Sequence, residues 1–251
     1  MSRYTVIASW QDAPHLSAEA RAELEAAYLP HERDARTKGI PSLGAGAIYP
    51  VSESDVVCDP FEIPEWYRQC YGFDVGWNRT AAIWGALDPE SDILYFYSEH
   101  YRGQAEPAVH AQAVLARGRW IPGVIDPAAR GRGQKDGEAL LGIYKELSLN
   151  IEKADNTIEA GIYAVWSRLS CGKLKAFKTL QNWLAEFRIY RRDEKGAVVK
   201  ANDHLMDASR YLVMSGLDRA IARPSLSWQS PVGMGREADY DSLPYFRTNR
   251  R

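Results

Sequence analysis

The pattern of apolar and polar positions becomes regular from Tyr71 onward. "YGFDVGW", "TAAIWGAL" and "ILYFYSEHY" read as three strands, the last two joined by the turn-forming "DPESD", which predicts an antiparallel start. "EPAVHAQAVLARG" reads as a helix, with Pro107 where a first helical turn tolerates it, and "WIPGVIDP" as a short buried strand stopped by Pro127. A glycine-rich basic loop in "AARGRGQKDGEALLGIYKELSL" then enters a helix. "NIEKA" predicts a strand, "TIEAGIYAVWSRLSCG" a helix, "KLKAFK" a further strand, "TLQNWLAEF" a helix, and "RIYRRDEKGAVVK" a hairpin turning at Glu194 to Gly196. The helix "NDHLMDASRYLVMSG" closes the regular part. Strands alternating with helices favour parallel pairing in this second half.

The flanks differ. Before the regular part come a short apolar stretch "YTVIASW", a helix signal at Ser17 ahead of "AEARAELEAAYL", and "PHERDARTKGIPSLGAGAIYP", rich in Pro, Gly and charge. Residues 1–58 therefore read as a connector, 59–221 as the main domain, and 222–251, which lacks a sustained period, as a mobile or partner-binding tail.

Carboxylates interrupt the apolar background at Asp74 in "YGFDVGW", at Asp126 in "GVIDP", and at Asp203 and Asp207 in "NDHLMDASRY". A buried carboxylate without compensation costs on the order of several kcal/mol, so each calls for a cation, a hydrogen-bond network or a metal. Three antiparallel strands followed by helix, strand, helix, strand is the order in which a ribonuclease H-like fold sets its first strand beside its fourth. The expected class is accordingly α/β, a ribonuclease H-like mixed central sheet flanked by helices, with Asp74 and Asp126 as neighbours. Asp203 and Asp207 stand one helical turn apart, where like charges repel and a cation would relieve them. All-oxygen ligands suit magnesium or manganese. Plainer readings stand beside these. Asp74 can be a hydrogen-bonding strand residue and Asp126 a turn cap. Asp203 can be a first-turn residue capped by Asn202, and Asp207 a partner of Arg210. His204 is either a surface residue or a ligand and proton carrier.

Composition narrows the field. With 251 residues, 45% of them hydrophobic, the chain can bury a sizeable core, and its formal net charge of −2 offers no global attraction for nucleic acid. Local clusters can. Arg130, Arg132 and Lys135 follow Asp126, and Arg188, Arg191, Arg192 and Lys195 lead towards the acidic helix. Such clusters are commonly solvated faces, but their position on both sides of the acids favours phosphate contact. Cys58, Cys70 and Cys171 form no CxxC pair, which argues against a disulfide framework or a cysteine-rich zinc site and fits a reducing cytoplasm. No membrane span or export signal is legible. Trp84, Tyr95, Tyr97, Trp166, Trp183 and Phe187 read as core; Trp77, beside Asp74, stays open between core and DNA contact.

Together, "YGFDVGWNRTAAIWGAL", "GVIDPAARGRGQKDG", "NTIEAGIYAVWSRL" and "ANDHLMDASRYLV" resemble the nuclease domain of the large terminase subunit of tailed bacteriophages and prophages. "ASWQDAPHLS" and "PHERDARTKGIPSLGAGAIYPV" are similar to the stretch joining that subunit's ATPase and nuclease domains, so the likeness runs from Thr5 to Leu217. The resemblance implies an endonuclease that cuts concatemeric double-stranded viral DNA during packaging with two divalent metals, Mg2+ or Mn2+. It maps the family's acidic site onto Asp74, Asp126 and Asp207, with Asp203 and His204 as further candidate ligands. The implied partners are double-stranded DNA, the terminase ATPase domain, the small terminase subunit and the portal protein, in the host cytoplasm and with no membrane. The phosphate-binding pattern GxxxxGK[ST] of the motor is not in this sequence; "CGKLKA" lacks the first glycine and the Ser/Thr. Other readings are a resolvase- or transposase-type phosphotransferase, or a non-catalytic packaging module.

Overall fold

Thr80–Leu87 is buried at every residue but the last, which is why "TAAIWGAL" shows no polar alternation: both faces of this strand are covered. The computed structural model describes residues 9–13, 15–27, 37, 46–127 and 136–224. Its strands are β1 (Val57–Cys58), β2 (Arg68–Asp74), β3 (Thr80–Leu87), β4 (Leu94–Arg102), β5 (Gly123–Ile125), β6 (Ile151–Lys153) and β7 (Leu174–Phe177). The helices are α1 (Ala18–Ala27), α2 (Glu53–Val56), α3 (Pro107–Leu115), α4 (Asp136–Glu146), α5 (Ile158–Ser170), α6 (Gln181–Ile189) and α7 (His204–Tyr211). After α7 the helix runs on through a π-helical turn, Leu212–Gly216, into the short α8 (Leu217–Arg219).

All seven strands form one sheet in the order β1-β7-β4-β3-β2-β5-β6. β2, β3 and β4 are antiparallel neighbours, while β5 and β6 run parallel to β2 on one side and β7 and β1 run parallel to β4 on the other. This is the ribonuclease H-like mixed sheet expected from the element order. Side chains alternate across it. Cys70 of β2 and Ile83 of β3 pack with Val165 of α5, Trp183 of α6 and Leu205 of α7. On the opposite face, Tyr71, Phe73 and Trp84 pack with Val114 of α3 and Tyr144 of α4.

Residues 46–58 of the expected connector pack into this fold, because its Gly/Pro-rich stretch carries apolar residues that find cover. Ile48, Tyr49 and Val56 are buried in the α5–α7 side of the core, and β1 extends the sheet. The expected hairpin turns at Gly196, with φ +80°, but its arms meet in isolated bridges, Arg192 with Val198 and Arg191 with Ala47. Tyr190 and Val198 pack against the core, whereas the residues around the turn, Asp193 to Gly196, are exposed and leave the arms nothing to pack on there. Of the expected tail, residues 222–224 are described, with the Arg223 N–H donating to Glu65 O; the remainder lies outside the described residues.

Two contacts position α7. A Cβ on Gly72 would lie 2.0 Å from the Ala208 carbonyl oxygen, so only glycine lets the helix backbone rest directly on β2. Glu186 of α6 then caps the helix from outside: its Oε2 accepts the Leu205 N–H at 2.6 Å and the Met206 N–H at 3.3 Å, and its Oε1 accepts the Tyr101 hydroxyl at 2.7 Å. Asp203 occupies the N-cap position without making a side-chain cap bond. Glu186 supplies acceptors, and a negative charge, where the helix exposes its first N–H groups.

Gly72→Ala is expected to lower unfolding stability by about 1–3 kcal/mol or more through overpacking. In Gly142→Ala the new Cβ meets nothing within 4 Å, so that helical replacement is expected to hold or raise stability. Urea denaturation of both variants checks this.

Candidate active site

Parallel pairing brings the first two acids together. Phe73 is in register with Ile125, and the Asp126 N–H donates to Phe73 O at 3.0 Å, so Asp126 leaves β5 beside Asp74 at the end of β2. Asp74 shares the α7 side of the sheet with Gly72, two residues before it, and α7 brings His204 and Asp207 to that side. His204 Nδ1 lies 2.9 Å from Asp74 Oδ2.

Electrostatics tie the three acids to one another. Burial pushes the Asp74 carboxyl up to about 6; the His204 hydrogen bond opposes that, while the charges of Asp207 and Asp126 add to it. The His204 imidazole is raised, first by its hydrogen bond to Asp74; burial opposes this, and the charges of Asp74, Glu186 and Asp203 support it. Burial also raises Glu186, against the hydrogen bonds from Tyr101 and Leu205.

Protein cations hold the helix acids. Asp207 Oδ1 accepts from Arg210 Nη2 at 2.7 Å and Nε at 3.2 Å, as the sequence alternative allowed, and its Oδ2 accepts from Lys200 Nζ at 2.9 Å. Lys200 Nζ is also 3.1 Å from Asp203 Oδ2, an ion pair without hydrogen-bond geometry. Lys200 thus stands between the like charges of Asp203 and Asp207. Arg210 is buried beside Gly161; burial disfavours its charge, and Asp207 outweighs that effect and holds its pKa above the usual range. On the other flank, Asn156 Nδ2 reaches Asp126 Oδ1 at 3.5 Å and Asn156 Oδ1 accepts from the Tyr211 hydroxyl at 3.3 Å.

The donor chemistry suits a hard divalent cation, since carboxylate oxygens that raise one another's proton affinity are what such an ion relieves. The side chains are not closed around one point, however. Among the described residues, no three His, Cys, Asp or Glu side chains are grouped so as to hold an ion.

The expected basic contacts divide. Arg130, Arg132 and Lys135 lie outside the described residues. Arg188 is engaged by both carboxylate oxygens of Glu53, each at 2.6 Å, and Arg192 by those of Glu159 at 2.9 and 2.6 Å. Arg191 and Lys195 are exposed and form no ion pair among the described residues. Trp84, Trp183 and Phe187 are buried and Tyr95, Tyr97 and Trp166 pack against the core, whereas Trp77 is 64% exposed. Sequence reasoning missed Glu186, Lys200 and Asn156 as site residues. For Glu186 a signal existed, an acid three residues after Trp183 on the apolar face of its helix.

A family profile described as Terminase RNaseH-like domain matches residues 71–215. The large terminase subunit of Enterobacteria phage LP7 is 32% identical over 223 residues, which cover 84% of this chain and 46% of that protein, so the chain spans less than half the length of this curated relative. The solved nuclease domain of the P22 large terminase superposes with a TM-score of 0.66 at 28% identity, covering 72% of this chain and 96% of that one. The large terminase nuclease of thermophilic phage G20c, solved with bound cobalt, shares the fold at 15% identity and a TM-score of 0.50, covering 69% of this chain and 98% of that one.

The Asp74 shift has a definite sign. With the folded value near 6 and the ordinary value 3.8, the folded chain holds a proton that the unfolded chain has lost, so stability falls as pH rises through that window. The raised His204 contributes stability below its unfolded value that is lost as pH climbs through its folded value. Asp74→Asn is therefore expected to flatten the decline, leaving the metal-free variant more stable than the parent above pH 6 by up to about 3 kcal/mol. Thermal or urea melts of both proteins across pH 4–8 in chelator measure the difference.

Proposed function

The chain belongs to the terminase RNaseH-like domain family, and from that membership we propose that it is a divalent-metal-dependent endodeoxyribonuclease that cuts concatemeric double-stranded viral DNA during genome packaging. The observation that carries the reading is geometric: β2, β5 and α7 bring Asp74, Asp126 and Asp207 to one end of the sheet, near enough for the charges of the last two to push the first upward, although their side chains are not closed around one point. The acids would hold two Mg2+ or Mn2+ ions, Asp74 between Asp126 and Asp207. Such ions supply activation of water and balance the charge on the attacked phosphate and the leaving 3′ oxygen.

The chain's own groups have distinct parts in this reading. Asp74 orients the imidazole through Nδ1, which leaves His204 Nε2 as the ring atom that takes a proton from attacking water or gives one to the leaving oxygen. Arg210 and Glu186 keep Asp207 and the first turn of α7 in place. Arg191 and Lys195 offer exposed charge to phosphates without specifying sequence. The ATPase domain, the small subunit and the portal are the proposed partners, and the host cytoplasm the proposed site of action.

A second reading, a packaging module without cleavage, draws on the ion pairs that Asp207 already makes with Lys200 and Arg210. Plasmid cutting that requires Mg2+ or Mn2+ and stops with chelator distinguishes the two. In that assay Asp74→Asn is expected to abolish cutting, because it removes ligand charge without removing volume. Asp203→Asn is expected to cost about 10–100-fold, as for a group that orients a ligand, and Asp207→Asn more. The reverse order on the helix would reassign the ligand. For DNA binding, Arg191→Gln with Lys195→Gln is expected to weaken affinity alike for unrelated duplexes and to flatten log affinity against log salt by about 0.9 per lost phosphate contact. Titration of labelled duplexes across a salt series, in the Asp74→Asn background, reads both effects.

A further inference from the structure

The loop that joins β2 to β3 begins directly after Asp74 and carries an indole into solvent. Trp77 is 64% exposed; Trp66 and Tyr163 are similarly exposed at 62% and 65%, but those two pack on the neighbouring rings of Tyr67 and Trp166, whereas Trp77 has no ring partner among the described residues. Leaving so large an apolar group mostly in water forgoes the hydrophobic stabilisation that its burial would give.

The loop beneath it is well held. The Gln104 N–H donates to Trp77 O at 2.8 Å, the Thr80 hydroxyl donates to Gly76 O at 2.9 Å, and a Cβ on Gly103 would lie 2.0 Å from Asn78 O, so the two loops touch backbone to backbone. The backbone is therefore fixed while the side chain is free. Positive charge flanks it. Arg79 lies over the Tyr101 ring at 4.4 Å, and Arg102, paired in register with Thr80, is exposed; neither forms an ion pair with a carboxylate among the described residues. An exposed aromatic with two uncompensated arginines in the adjoining strand ends, on a hydrogen-bonded loop that starts at Asp74, has the composition of a nucleic-acid contact.

Resting on the nuclease reading above, we propose that the β2–β3 loop is a DNA-binding element, in which Trp77 inserts its indole against the bases of the duplex while Arg79 and Arg102 take the flanking phosphates. An apolar side chain placed between base steps partly unstacks them and kinks the duplex, which would present the strand to the carboxylates at a fixed distance from the wedge. The contact is independent of the basic hairpin, which lies elsewhere in the chain.

The test uses the full chain in the Asp74→Asn background and a fluorescein-labelled duplex, with a second duplex carrying 2-aminopurine as a stacking reporter. Trp77→Ala is expected to weaken binding about 5- to 150-fold, as loss of one stacked base would, with the salt slope unchanged because no charge is lost. Trp77→Phe should retain most of the affinity, and the rise in 2-aminopurine emission on binding should vanish only in the alanine variant. Arg79→Gln with Arg102→Gln should instead flatten the salt slope by about 0.9 per lost contact. Binding within two-fold of the parent and an unchanged 2-aminopurine signal in Trp77→Ala would overturn the inference, and would point to a protein partner for the indole. In the chain with Asp74 intact, cutting that is unaffected by Trp77→Ala would leave the nuclease reading standing and remove only the wedge, whereas a parent that neither binds nor cuts DNA would overturn both.

Discussion

The rest of the site depends on the direct contact between the backbone of α7 and β2 at Gly72. A helix packed on a sheet normally stands off by the thickness of its side chains. Here the Ala208 carbonyl occupies the space that any Cβ at position 72 would fill, so the helix comes down onto the strand. That approach brings His204 and Asp207, one residue before Ala208, to the strand end where Asp74 sits. A larger residue at position 72 would push the helix off as a unit, and the acids would separate without any of them being changed.

Bringing carboxylates into a half-buried space creates a charge problem, and the fold answers it with fixed partners on every side. Arg210 approaches Asp207 from within the core, Lys200 approaches from solvent and also faces Asp203, and His204 takes one oxygen of Asp74. These partners are unequal in what they permit. Arg210 is buried and its charge is held on by Asp207, so it is a permanent part of the framework. Lys200 reaches the site from its open side, with its side chain 51% exposed, and can give way to a ligand, while His204 stays on Asp74. The site is thus braced on its core side and replaceable on its solvent side.

Much of this was legible beforehand because it follows local rules. Period-two and period-3.6 patterning located the strands and helices, and the element order placed Asp74 beside Asp126 before any contact was known. The helix spacing put Asp203 next to Asp207 and allowed the Asp207–Arg210 pair. What was not legible arises from packing between distant segments. Nothing near Ser52 or Tyr49 announces that this glycine- and proline-rich stretch will cover the α5–α7 core and lend β1 to the sheet. Glu186 is helical by pattern, and its role becomes visible only when the N-terminus of α7 is set against it. Lys200 is by sequence only a basic residue ahead of the acidic helix, and its chemistry is decided by the two acids that follow it, Asp203 and Asp207. Arg188 and Arg192 looked like phosphate contacts, but Glu53 and Glu159, distant in sequence, already occupy their guanidinium groups.

One continuous set of contacts joins the exposed rim to the acidic helix. Arg79 of the β2–β3 loop lies over Tyr101, the Tyr101 hydroxyl donates to Glu186, and Glu186 accepts the first N–H groups of α7, which carries His204 and Asp207. Each link is short and partly or wholly shielded from water, where hydrogen bonds to a charged acceptor are strongest. Because Glu186 is buried, losing either the Tyr101 or the α7 contact would leave a carboxylate without its compensation, so the arrangement resists loosening at any single joint. In the proposed complex, a force applied to the loop by a bound duplex would be borne by the same carboxylate that caps α7. The geometry favours a rigid jaw, with the loop and the acids held at constant separation, over a hinge that closes on its substrate.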